Sequence, residues 1–113
     1  MEDILICQLD VLNEVQRARH GVVLETLRQS LIETRELADG FAFCYPPALL
    51  PLAAEFVSRE RLCCPFFNFK LELAADNGPL WLHLTGRQGV KAFLQAELVG
   101  SGEWRVSPLP TPH

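Results

Sequence analysis

The chain has no apolar run approaching the roughly 20 residues needed to cross a bilayer, so a membrane-spanning helix is not expected. It has no excess of cations either: 10 Lys and Arg stand against 14 Asp and Glu, for a formal net charge of −4. Phosphate backbones are held by clustered Lys and Arg, so nucleic acid is not an expected partner. Behind Glu2 and Asp3 there is no basic n-region or long apolar segment, so no secretory signal is expected. No internal repeat is present, and no Ser/His/Asp set or paired-carboxylate motif stands out. Gly86-x-x-Gly89 is too short for a phosphate loop and reads as ordinary helix initiation. The four cysteines, Cys7, Cys44, Cys63 and Cys64, contain no C-x-x-C pair, so a conventional zinc ribbon or finger is not indicated.

What is present is an ordinary globular composition, 49% apolar and 21% charged over 113 residues, enough for one domain with a modest core. The domain is expected over residues 1–100. Residues 101–113, with Gly102, Pro108, Pro110 and Pro112, read as a Pro-rich mobile tail in which Trp104 either docks back or stands exposed. The expected location is the cytoplasm, where thiols stay reduced and structural disulfides are rare. A bridge between Cys63 and Cys64 is opposed by geometry. Adjacent Cα atoms are about 3.8 Å apart, below the usual bridged range of about 4.4–6.8 Å.

Periodicity sets the elements. Asn13 and Gln16 have capping-box spacing, followed by a helical stripe of Val15, Ala18, Val22 or Val23, and Leu27, which Gly21 weakens by about 1 kcal/mol relative to Ala. Asp39-Gly40 predicts a hairpin closed by a primed turn. Beyond it Phe41, Phe43 and Tyr45 share one strand face and Ala42 and Cys44 the other, which sends Cys44 away from the core. A helix is expected to start between Pro46-Pro47 and Pro51, to run through Leu52, Phe56 and Val57, and to stop before Pro65. Phe67, Phe69, Leu71 and Leu73 alternate with Asn68, Lys70 and Glu72. After a turn at Asp76-Asn77-Gly78, Leu80, Leu82 and Leu84 alternate with Trp81, His83 and Thr85, so both segments predict half-buried strands whose Phe67, Phe69, Leu71, Leu73 and Leu80, Leu82, Leu84 faces meet the helices. A last helix is predicted from about Gln88 to Val99, with Val90, Phe93, Leu94 and Leu98 as its stripe and Gly100 as its stop. The order α-β-β-α-β-β-α predicts an α+β two-layer sandwich, an antiparallel sheet of about four strands with helices on one face. The other face would carry Trp81, His83, Lys70, Glu72 and Cys44, either solvated or serving as a homodimer surface.

The chemistry concentrates in Arg59-Glu60-Arg61-Leu62-Cys63-Cys64-Pro65-Phe66-Phe67. Glu60 stands three and four places before the cysteines, so the three can share one helix edge. It also falls on the stripe Leu52, Phe56, Glu60, Cys63, where a carboxylate needs an arginine, a metal or a protonated partner. Alternatively it turns outward to pair with Arg59 or Arg61. The negative end of the helix dipole disfavours a thiolate nucleophile and favours a bound cation. Further ligands would come from Cys7 and His20.

Three readings follow: cysteines that only pack within an interaction module, a thiol oxidoreductase using Cys63 and Cys64, and a site for a thiophilic metal such as Cu(I), Hg(II) or Zn(II). The metal reading, in sensing, buffering or resistance, is favoured, with Cys63, Cys64, Cys7, Glu60 and His20 as the ligand set.

From about Asn13 to Leu98 the chain resembles a group of small bacterial proteins with no settled activity. The resemblance rests on Arg17-Ala18-Arg19-His20, on the block Glu60-Arg61-Leu62-Cys63-Cys64-Pro65-Phe66, and on a leucine strand running into Thr85-Gly86. Cys7 fits some members and Cys44 does not belong to the pattern. The resemblance implies that Glu60, Cys63 and Cys64 belong together, and implies no reaction.

Overall fold

A computed structural model describes residues 9–96. The expectations for Cys7, Leu98, Gly100, Trp104 and the 101–113 tail lie outside the described residues. Within them the chain forms helix α1 (Glu14–Gln29), strands β1 (Glu33–Leu37) and β2 (Gly40–Tyr45), helix α2 (Leu50–Cys63), strands β3 (Phe67–Leu73) and β4 (Leu80–Gly86), and a short helix α3 (Val90–Leu94). The four strands make one antiparallel sheet in the order β1-β2-β4-β3. This is an α+β fold with its helices packed on the sheet. Among the described residues no helix is long and apolar enough to cross a membrane.

The register brings the aromatic face of β2 onto the leucine face of β4: Phe41 opposes Leu84, Phe43 opposes Leu82 and Tyr45 opposes Leu80. All six side chains are at most 2% exposed. Complete burial of a side chain of this size contributes about 1.5–3 kcal/mol. The same core takes Val23 and Leu27 from α1, Ala53 and Phe56 from α2, and Val90 and Leu94 from α3. On β3 the inward set fades along the strand. Phe67 is buried, Phe69 and Leu71 are half-buried, and Leu73 is 47% exposed, contrary to the expectation that all four meet the helices. β3 is an edge strand, and its far end lies beyond the cover.

Three local details differ from the pattern. The buried stripe of α1 is His20, Val23 and Leu27, while Val15 and Val22 are 78% and 56% exposed. Asn13 and Gln16 do form the reciprocal capping box. The β1–β2 hairpin exists, but Leu37 pairs with Gly40, so Ala38 and Asp39 form the turn and neither has positive φ. Gly40 is needed for another reason. A Cβ there would lie 2.0 Å from the carbonyl oxygen of Leu84, where β4 passes close by. The primed turn is instead at Asp76 and Asn77 (φ 60° and 57°), closed by the Gly78 N–H donating to Ala75 O at 3.1 Å. α3 begins at Val90 because Gly89 before it is left-handed, with φ 97°.

Cys44 faces away from the main core, as its strand position requires, in register with Glu33 and Trp81. It is nevertheless only 4% exposed. Glu33 and Trp81 flank it on the neighbouring strands, and the Arg35 guanidinium lies 4.4 Å from the Trp81 ring centroid.

Candidate metal centre

The site is built where α1 and α2 pack against each other. α2 is preceded by a 3-10 turn (Pro47–Leu49) and carries Pro51 in its first turn, where a missing N–H costs nothing. At its other end Cys64 leaves the helix with φ −125° and ψ 71°, and its N–H still donates to Glu60 O at 2.7 Å. Pro65 cannot continue the ladder. The two phenylalanines that follow anchor this exit. Phe66 meets Phe67 and Phe93 edge-on at 4.7 and 5.1 Å between ring centroids. The last turn of α2 is thereby fixed against β3 and α3, and its cysteines with it.

Glu60 turns inward, and its partner is on the other helix. One carboxylate oxygen, Oε2, lies 2.6 Å from His20 Nε2, and the other, Oε1, lies 3.2 Å from Cys64 Sγ. The alternative pairing with Arg59 or Arg61 does not occur. Arg59 binds Glu55, which also receives a two-pronged contact from Arg19 at 2.6 and 2.8 Å. That contact holds the Arg19 guanidinium above its usual pKa, through the hydrogen bond first and the charge of Glu55 second. The Arg19–Glu55–Arg59 group and the His20–Glu60 pair cross the same helix interface and fix its register.

His20 is stacked on Phe56, rings 5.3 Å apart and 8° from parallel, and its side chain is only 9% exposed. Its second nitrogen, Nδ1, is buried with no hydrogen-bond partner among the described residues. Cys63 is fully buried and free, and its thiol donates to Arg59 O at 3.3 Å. Burial, and then the charge of Glu60, raise the Cys63 thiol above the ordinary range, against the lowering effect of a backbone hydrogen bond. A donor atom each from His20, Glu60 and Cys63 lie within 4.8 Å of one another. Cys64 is 1% exposed and is disulfide-bonded.

Of the five residues expected at the site, the structure therefore brings together His20, Glu60, Cys63 and Cys64; Cys7 lies outside the described residues. No protein-family model, curated protein or solved structure matches the chain.

The sequence reading missed that Glu60 is held by His20 specifically, and missed the Arg19–Glu55–Arg59 group. A signal for both exists. Arg19-His20 on α1 and Glu55 and Glu60 on α2 are complementary pairs on two helices joined by a hairpin.

Tetrahedral zinc has bonds of about 2.0–2.3 Å to N, O and S, which puts neighbouring ligand atoms about 3.3–3.8 Å apart. The His20–Glu60 contact must open by about 1 Å, and Cys63 must close by at most about as much, for an ion to enter. Such shifts are within side-chain rotation. The ion would displace the Cys63 thiol proton, so binding would release a proton.

Proposed function

We propose that this protein binds a thiophilic divalent cation, with zinc as the best match, through His20, Glu60 and Cys63. The observation that supports it is the convergence of one imidazole, one carboxylate and one thiol within 4.8 Å, in a largely buried position between two helices. Mixed N, O and S donors suit zinc better than Cu(I) or Hg(II), which favour sulfur alone. A buried imidazole with an unpartnered nitrogen and a carboxylate on a core-facing stripe both cost stability in a metal-free protein. Binding an ion offsets part of that cost. All three donors come from one chain, so the site does not require a homodimer. A cytoplasmic role in sensing, buffering or resistance fits such a site.

The test is metal content by mass spectrometry on protein purified without chelator. About one equivalent of zinc is expected, lost in Cys63→Ser and in His20→Ala. Protein that carries no metal and takes up none of Zn(II), Cu(I) or Hg(II) refutes the reading.

One observation favours a second reading, a thiol oxidoreductase: Cys64 is disulfide-bonded, with a polar side chain, Glu60, 3.2 Å from its sulfur. Against it, Cys63 and Cys64 are buried to 0% and 1% exposure and offer no surface to a substrate thiol.

A further inference from the structure

Among the described residues β3 pairs with β4 alone, and its outer edge is open. The strand reads FNFKLEL, with no proline or glycine and an unbroken one-to-one register, so no bulge turns it aside. Its apolar face is incompletely covered: Phe69 and Leu71 are half-buried and Leu73 is 47% exposed.

Two hydrogen bonds fix which backbone groups this edge presents. Gly86 N–H donates to Asp39 O, and Ala74 N–H donates to Pro79 O. Bonded residues alternate along an antiparallel ladder. The backbone of β4 therefore turns toward β2 at Leu80, Leu82 and Leu84, and toward β3 at Trp81, His83 and Thr85. On β3 the bonded residues are then Asn68, Lys70 and Glu72. The N–H and C=O groups of Phe69, Leu71 and Leu73 point outward.

We propose that two copies of this chain join edge to edge through β3, antiparallel about a two-fold axis at Leu71, so that their sheets become continuous. The occupant is a second copy because the strand is complementary to itself in that register. Lys70 lies opposite the second copy's Glu72, and Glu72 opposite its Lys70. Both side chains are more than half exposed, and within one chain they approach only to 3.8 Å. On the helix side Leu71 meets its own counterpart and Phe69 meets the second copy's Leu73, which covers the face left open. The outward backbone groups of these same residues face one another and pair. Moving the axis by one residue, to Lys70 or to Glu72, sets like charge against like. An edge lysine ordinarily deters strand addition. Here the glutamate two places on admits one register and one partner. The metal reading is independent of this, since His20, Glu60 and Cys63 lie between α1 and α2.

The experiment is sedimentation equilibrium of the full chain over a range of concentrations, at low and high salt. A reversible monomer–dimer equilibrium is expected, weaker at high salt. Lys70→Glu and Glu72→Lys, each alone, should weaken self-association at least ~10-fold, because each sets two like-charge pairs beside the axis. An equimolar mixture of the two single variants should dimerise again, since every charge then meets its opposite. The double exchange Lys70→Glu with Glu72→Lys should restore the wild-type affinity. A misfolded variant would not recover on mixing, so recovery separates repulsion from loss of fold. A chain that is monomeric at every concentration overturns the proposal. So does a dimer that both single variants leave unchanged, or a mixture of the two that stays monomeric.

Discussion

Glu60 and His20, 40 positions apart in the chain, meet at 2.6 Å between two helices. Glu60→Gln removes the charge and keeps the shape, whereas Glu60→Ala leaves a buried imidazole with neither ring nitrogen partnered. Loss of a partner from a buried polar group costs about 1–3 kcal/mol. Urea unfolding of the metal-free protein should therefore rank wild type above Glu60→Ala by that amount, with Glu60→Gln between them. Zinc should stabilise wild type and not Glu60→Ala. Equal midpoints for all three would mean that the pair contributes nothing to the fold.

Two glycines should respond to the same substitution with opposite signs. Gly21 is exposed in the middle of α1, and a Cβ there meets nothing within 4 Å. Gly21→Ala should stabilise by about 1 kcal/mol through helix propensity and lower chain entropy. At Gly40 the added carbon runs into backbone atoms of β4. Gly40→Ala should cost about 1–3 kcal/mol, the usual range for overpacking. Thermal unfolding of the two variants is the measurement.

The thiols give a third expectation. Cys44 is raised above the ordinary thiol range by burial first and by Glu33 second, and Cys63 by burial and then Glu60. The thiolate is the reacting form, so alkylation of both should be slow at neutral pH and should accelerate only as pH passes above that range. Zinc should protect Cys63 further and leave Cys44 unchanged, since Cys44 sits on the far side of the sheet. Peptide mapping by mass spectrometry separates them. Rapid labelling of Cys63 at pH 6 would contradict the burial that raises it.

A pH effect should come from His83, on the same far face. Burial, and then Lys70, hold its pKa below the ordinary histidine value, with Glu72 opposing. In the unfolded chain it protonates near pH 6.5. Between that pH and its lower folded value the unfolded state binds more protons, so stability falls as the solution is acidified through this window. His83→Asn should flatten the stability-versus-pH curve between pH 7 and 5, measured by denaturant midpoints. An unchanged slope would show that His83 titrates alike in both states.

The fold was largely legible because its signals are local. Period-two alternation located β3 at Phe67–Leu73 and β4 from Leu80 to Thr85, one residue short of its end at Gly86, and proline and the capping box bounded the helices. Which strand would sit at an edge was not legible, and Leu73 is exposed for that reason. The turn chemistry also misled. An Asp-Gly pair suggested positive φ at Asp39-Gly40, but Gly40 answers to β4 passing beside it, a contact between distant segments. At the site, Glu60 on an apolar stripe showed that a partner was required. That the partner is His20 depends on how α1 lies on α2, and hydrophobic spacing alone had rotated α1 toward Val15.

The whole β1–β2 hairpin lies in the chain between His20 and Glu60. An ion held by both would act as a clasp across that segment, joining the first helix to the end of the second. Its binding energy then becomes folding energy: at free metal about 100-fold above the dissociation constant, the clasped state gains about 2.7 kcal/mol. In metal-poor conditions that clasp is absent, and the first helix is held to the second by contacts that include the Arg19–Glu55 ion pair and the apolar stripe of Val23 and Leu27.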